Sequence, residues 1–187
     1  APNATTCRTS SGDLAVCADD GSGAAKTYAC PNGCRDGLCT APSSPNDSCS
    51  GAVKVQGGIH IVDTLGRFSN QLDPSGKPKS CVQNAGGADA VYEVELQDGE
   101  LLTADVELED DNDEPALYVM SNCTGGRPSC LAGQQAVRST KASTGYYNGT
   151  GSRQTVHVVV DNDGTRTNGK FELTIDVQQA DCDPRSK

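Results

Sequence analysis

Three stretches of this chain alternate apolar and polar side chains with a period of two. Tyr92, Val94 and Leu96 alternate with Glu93 and Glu95; Leu102, Ala104, Val106 and Leu108 with Thr103, Asp105 and Glu107; Phe171, Leu173, Ile175 and Val177 with Glu172, Thr174 and Asp176. A strand with this pattern has one dry and one wet face, as in antiparallel sheets with one side on a core. Residues 53–55, 59–62, 116–120 and 155–160 are further strand candidates. Val158-Val159-Val160 is apolar at consecutive positions, which places it in a central strand. No stretch carries helical periodicity. Seven or eight short strands with turns between them predict an all-β chain, a jelly-roll-like antiparallel β-sandwich. Between the first two alternating stretches lies Asp98-Gly99, a hairpin turn signal. Pairing Leu96 with Leu102 and Val94 with Ala104 keeps the dry faces together, and this predicts a three-residue loop or bulge at Asp98-Gly99-Glu100.

The cysteines divide the chain. Of ten, five (Cys7, Cys17, Cys30, Cys34, Cys39) lie in residues 1–40 and five (Cys49, Cys81, Cys123, Cys130, Cys182) in the remainder. Residues 1–40 hold few sizeable apolar side chains and no long strand, so they form a loop-rich N-terminal appendage that needs covalent staples. A Pro/Ser-rich linker at 41–48, the sandwich at 49–182 and a tail at 183–187 follow. An even cysteine number in an acidic chain points to disulfides and an oxidising compartment, hence secretion or the cell surface. Zinc is the competing reading of Cys30, Cys34 and Cys39, but paired C-x2-C knuckles are absent and both histidines lie far away in sequence. Connectivity is open. Cys123 with Cys130, Cys39 with Cys49 and Cys81 with Cys182 form one self-consistent guess. Two odd groups of five require a bond between appendage and sandwich if every cysteine pairs within the chain.

Asp and Glu outnumber Lys and Arg by 25 to 15, a formal net charge of −10. That balance disfavours nucleic acid as a partner, and no apolar run reaches the ~18 residues of a spanning helix. Ala1-Pro2-Asn3 reads as a mature N-terminus. The charge is concentrated: residues 92–114 hold eleven acidic side chains and no Lys or Arg. Asp110, Asp111 and Asp113 fall in its densest part and are candidate calcium ligands, since a hard cation relieves repulsion between packed oxygens. The EF-hand pattern is missing, and the competing reading is a solvated acidic face.

Several motifs occur in an order similar to that of the bacterial pre-peptidase C-terminal domain. They are Asn46-Asp47-Ser48-Cys49, Gly87-Ala88-Asp89-Ala90-Val91-Tyr92, Gly99-Glu100-Leu101-Leu102, Pro115-Ala116-Leu117-Tyr118-Val119, Val158-Val159-Val160-Asp161 and Gly169-Lys170-Phe171-Glu172-Leu173. Together they span about residues 46–178. The resemblance implies a secreted, non-catalytic jelly-roll-like module connected with substrate targeting, solubility, secretion or surface display. Some such domains bind calcium, which implies Asp47 and Asp89 as ligands. The chain departs from the family in residues 63–88 and 148–153, and residues 1–40 lie outside it.

Catalysis has little support. His60 and His157 sit in no nucleophile elbow or HExxH motif, and His157 reads as an outward-facing strand residue. Tyr146 and Tyr147 are a candidate stacking platform. Asp161-Asn162-Asp163-Gly164 reads as a turn between strands. Asn3, Asn46, Asn122 and Asn148 each open a glycosylation sequon. The expectation is a non-enzymatic extracellular protein acting in binding, adhesion or structural assembly, with a protein partner or self-association through strand edges. The alternatives are an accessory targeting module of a secreted hydrolase system, and a protease inhibitor with Lys26 in its bait loop.

Overall fold

The structure, a computed structural model, describes residues 5–8, 14–17, 24–28, 33–35, 38–39, 46–72, 74, 81–109, 114–122, 129–163 and 169–180. Near the N-terminus, β1 (Thr5–Cys7), β2 (Leu14–Cys17) and β3 (Ala24–Tyr28) form a three-stranded antiparallel sheet, and β4 (Cys34–Arg35) pairs with β5 (Leu38–Cys39). Cys7 and Cys34 are disulfide-bonded and tie the two small sheets together. These elements are short, as expected for a region whose stability comes from staples.

The alternating stretches and their neighbours form two sheets packed face to face. The first contains β11 (Cys130–Gln135), β10 (Pro115–Met120), β13 (Gln154–Asn162), β8 (Ala90–Leu96) and β6 (Val53–Val55), in that order. The second contains β12 (Lys141–Tyr147), β9 (Glu100–Leu108), β14 (Lys170–Gln179) and β7 (Ile59–Thr64). All these pairs are antiparallel except β6 with β8. The chain is all-β, a jelly-roll-like sandwich, and Val158-Val159-Val160 occupies the middle strand of the larger sheet.

The dry faces meet in one core. Tyr92, Val94 and Leu96 of β8 and Val156, Val158 and Val160 of β13 face Leu102, Val106, Phe171, Leu173 and Ile175 of the second sheet. Full burial of each large apolar side chain contributes about 1.5–3 kcal/mol. β8 and β9 do not pair, contrary to the predicted hairpin: β8 pairs with β13, and β9 with β12 and β14. The Asp98-Gly99 turn carries the chain from one sheet to the other, so Leu96 and Leu102 meet across the core and not along a ladder. Gly99 holds φ at +84°, a conformation that L side chains rarely adopt.

Asn148 fastens this crossing. Its side-chain amide donates to the carbonyls of Leu96 (3.1 Å), Gln97 (3.0 Å) and Ser152 (2.8 Å), and its backbone bonds to Gly99 and Glu100. Asn148→Ala is expected to lower unfolding free energy by ~2–4 kcal/mol in a denaturant titration, because one buried and two half-buried carbonyls lose their donor. A loss below ~0.5 kcal/mol would contradict that role.

The outer face of the five-stranded sheet is also covered. Val91, Val159, Ala116, Tyr118 and Met120 form a second apolar cluster under Leu72, Val82 and Ala85. Segment 69–88, described at 69–72, 74 and 81–88, therefore acts as a strap, and β10 is buried along its whole length because both its faces are covered. The strap is held by a Cys81–Cys130 disulfide with a Cα separation of 5.8 Å, and by Gln135 Oε1, which accepts from the amides of Gln83 (3.2 Å) and Asn84 (2.7 Å). This bond corrects two guesses: Cys130 is not joined to Cys123, nor Cys81 to Cys182. Their separations in sequence gave no sign that the strap folds back onto β11. Cys49 is disulfide-bonded; Cys123 and Cys182 lie outside the described residues.

Candidate functional site

Asp161-Asn162 is not a loop but the end of β13. Continuing the register that pairs Val160 with Ala90 sets Asp161 opposite Asp89, beneath the strap. Both carboxyls are fully buried. Asp89 Oδ2 accepts from the backbone amides of Gln71 (2.6 Å) and Leu72 (2.7 Å), which pins one end of the strap. Asp161 Oδ1 accepts from Gly87 (3.1 Å) and Asn162 (2.6 Å). The Tyr118 hydroxyl lies between the carboxyls, 3.2 Å from Asp161 and 3.5 Å from Asp89. Burial raises Asp89 to about 6. Burial, and then the facing Asp89 charge, raises Asp161 to about 9. The pair keeps one proton at neutral pH, shared between the two carboxyls and favouring Asp161. Burial and both carboxylates likewise push the Tyr118 phenol well up.

Of the predicted calcium ligands, Asp47 accepts from Ser69 Oγ at 2.5 Å, and Asp89 is occupied as above. Asp110, Asp111 and Asp113 lie outside the described residues. Among the described residues no three His, Cys, Asp or Glu side chains stand close enough to hold a metal ion. The carboxylate pair spends its oxygens on backbone amides, Tyr118 and a shared proton, a donor set that suits a structural clamp.

Tyr146 and Tyr147 leave opposite faces of β12, as consecutive strand residues must. Tyr146 packs on the core and donates to Gln154 Oε1 at 2.7 Å, so the two rings do not form a shared platform. His157 is half-buried on the strap side of β13, 3.8 Å from Glu93, and burial lowers its pKa. Two sequon asparagines are committed to the fold: Asn46 is buried with its amide on the Val91 carbonyl at 2.9 Å, and Asn148 is the hub described above. Asn122 is exposed.

The remaining sheet face, the outer face of the four-stranded sheet, is mostly polar, exposed at Asp105, Glu107, Lys141, Ser143 and Glu172 and half-buried at His60, Val62 and Thr174. Register sets Lys141, Glu107, Glu172 and Val62 in one row across β12, β9, β14 and β7. The next row is Ser143, Asp105, Thr174 and His60. Lys141 lies 2.9 Å from Glu107, Ser143 Oγ donates to Asp105, and His60 lies 3.3 Å from the Thr174 hydroxyl and 3.7 Å from Glu172. Two shallow depressions open here, of about 200 Å³ and about 360 Å³, and Glu107 and Glu172 line both. The alternation in β9 and β14 identified these as wet-face residues. Nothing in the sequence showed that β9 and β14 are neighbours, which is what brings Glu107 beside Glu172.

No protein-family model and no curated protein matches the chain. Solved structures similar to it include the pre-peptidase C-terminal domain of a collagenase from Bacillus anthracis, at 13% identity over 73% of this chain and 98% of that one, with a TM-score of 0.40. Another is CorA, a surface-associated copper-binding protein of Methylomicrobium album BG8, at 7% identity over 68% of this chain and 98% of that one, TM-score 0.45. A third is a CBM35 from Cellvibrio japonicus Abf62, at 13% identity over 66% and 99%, TM-score 0.27. At these identities the likeness concerns the fold alone. The family that the ordered motifs of residues 46–178 resemble is the one represented by the collagenase domain.

Proposed function

We propose that this chain is a non-catalytic extracellular protein that works by binding, with the open face of β7, β9, β12 and β14 as its contact surface. The observation that carries this is how the sheet faces are covered. Two faces bury each other, the strap covers a third, and among the described residues the fourth is open across β9 and β12, polar and indented. The Cys7–Cys34 and Cys81–Cys130 bonds suit an oxidising compartment. No helix among the described residues is long and apolar enough to cross a membrane.

The edge of β12 is less open to strand addition than the sequence suggested, since Gln134 Oε1 of β11 already accepts from the Ser143 amide at 2.9 Å. Lys26, the proposed inhibitor contact, lies in β3 opposite Val16. A targeting role beside a secreted hydrolase would use the same open face.

The test is an array of extracellular polysaccharides and proteins, read by interferometry with the full chain and with Thr174→Arg, which plants a bulky cation in the centre of the face. Saturable binding without turnover, weakened about tenfold or more by the substitution, is expected. Turnover of any array member, or binding indifferent to Thr174→Arg, would overturn the reading.

A further inference from the structure

We propose that the open face takes a Lys- or Arg-bearing extended segment of another protein, with one cationic side chain seated between Glu107 and Glu172. This rests on the face being the contact surface and adds the chemistry of its partner.

The register is the first support. Glu107 of β9 stands directly opposite Glu172 of β14, and like charges directly opposite on a sheet face destabilise it. The fold needs neither carboxylate, because both are exposed and on the wet face. Lys141 answers Glu107 from one side and His60 approaches Glu172 from the other. The arrangement still carries excess negative charge. Among the described residues, Asp105, Glu107, Glu109 and Glu172 share this side of the sheet with Lys141 and Lys170, and Lys170 is 3.8 Å from Glu109. Four acidic against two basic side chains among the described residues leaves −2, on a chain of net −10. Such a surface repels anionic partners and steers cationic ones.

The shape is the second support. The two depressions adjoin at Glu107 and Glu172, one reaching to Asp105 and Ser143, the other to Glu109 and Lys170. From Asp105 to Glu109 is about 13 Å at ~3.3 Å per residue. That accommodates a few residues of extended chain, each depression taking a side chain. Recognition here runs through side chains, because β9 and β14 are both interior strands whose backbone groups are paired on both sides. A guanidinium suits the seat best, since its planar fork can bond two carboxylates at once.

The experiment uses the full chain and a short peptide alternating Arg and Gly, with the isosteric citrulline peptide as the uncharged control, read by fluorescence anisotropy at low and high salt. The Arg peptide is expected to bind at low salt and the citrulline peptide not to bind. Glu107→Gln with Glu172→Gln is expected to lose about tenfold in affinity and to melt no lower than wild type, because it removes a repulsion. Glu93→Gln with Glu95→Gln makes the same charge change on β8 and should shift affinity by less than about twofold. Equal loss in both double variants, equal binding of the citrulline peptide, or no binding by wild type would each overturn the proposal. If Thr174→Arg still weakens capture of an array polymer while the Arg peptide is ignored, the open face remains the contact surface and only the cationic partner falls.

Discussion

Asp161→Asn should melt higher than wild type at pH 9 and no higher at pH 4. Asp89 is raised to about 6 and Asp161 to about 9, burial being the main cause in each. In the unfolded chain both ionise near ~3.9. Below that pH both states are protonated and the pair's contribution to stability is fully present. Between about pH 4 and pH 9 the folded state holds more protons than the unfolded one, so stability falls as pH rises. The oxygen of the introduced carboxamide would still accept from Gly87 and Asn162, and its NH2 group would offer Asp89 the hydrogen that the shared proton supplies. The part of the alkaline loss that belongs to Asp161 then disappears, while Asp89, raised mainly by its own burial, keeps its smaller part below about pH 6. The difference at pH 9 should be on the order of 10 °C in melting temperature, corresponding to several kcal/mol. Asp63, also raised by burial, acts in the same direction, whereas His157, lowered by burial, acts oppositely around its titration. Comparing the variant with wild type cancels both. Equal pH slopes in the two proteins would sink the shared-proton account. The same melts with millimolar Ca2+ and with chelator check the calcium expectation: a cation on this pair would reverse the slope and stabilise wild type at high pH.

Much of the fold was legible because burial leaves a mark at period two. β8, β9 and β14 announced both their existence and their dry faces, and Val158-Val159-Val160 announced a strand covered on both sides. β11 and β12 left no such mark: Cys-Leu-Ala-Gly-Gln-Gln and Lys-Ala-Ser-Thr-Gly-Tyr-Tyr are edge strands, half-exposed and weakly apolar, so alternation has little to act on. Alternation is equally silent about partners. A turn joining two strands of one sheet and a turn crossing between two sheets use the same Asp-Gly chemistry, and both bring Leu96 near Leu102. The carboxylate pair was hidden for a related reason. Asp89 and Asp161 lie far apart in sequence and become neighbours only because β8 pairs with β13. Asp161 beside Asn162 carries the local signature of a turn, which the buried amides of Gly87 and Asn162 override.

Replacing Cys81 and Cys130 with alanine should cost about 4 kcal/mol, the chain-entropy value for a loop of this length, within a usual range of ~2–5 kcal/mol. The bond closes a separation of 49 residues. It also crosses β11 at Gly133, where an added Cβ would lie 2.9 Å from Cys81 Sγ and 2.8 Å from Tyr118 Cβ, so this strand position is kept bare to let the strap through. Without the bond the strap relies on Asp89 at one end and on Gln135, Asp161 and the Asn162 carbonyl towards the other. Its opening uncovers Val91, Val159, Ala116, Tyr118 and Met120 but leaves the core between the sheets intact. The double variant should therefore keep its far-ultraviolet strand signal while binding an apolar dye that wild type excludes. Opening also admits water to Asp89 and Asp161 and removes the desolvation that raises them, so the alkaline loss of stability should shrink with the strap. Combining the cysteine pair with Asp161→Asn then gives less than the sum of the separate effects at pH 9, because both act on one clamp. Additive effects, or a variant that excludes the dye as wild type does, would mean that the disulfide and the carboxylates hold separate parts of the molecule.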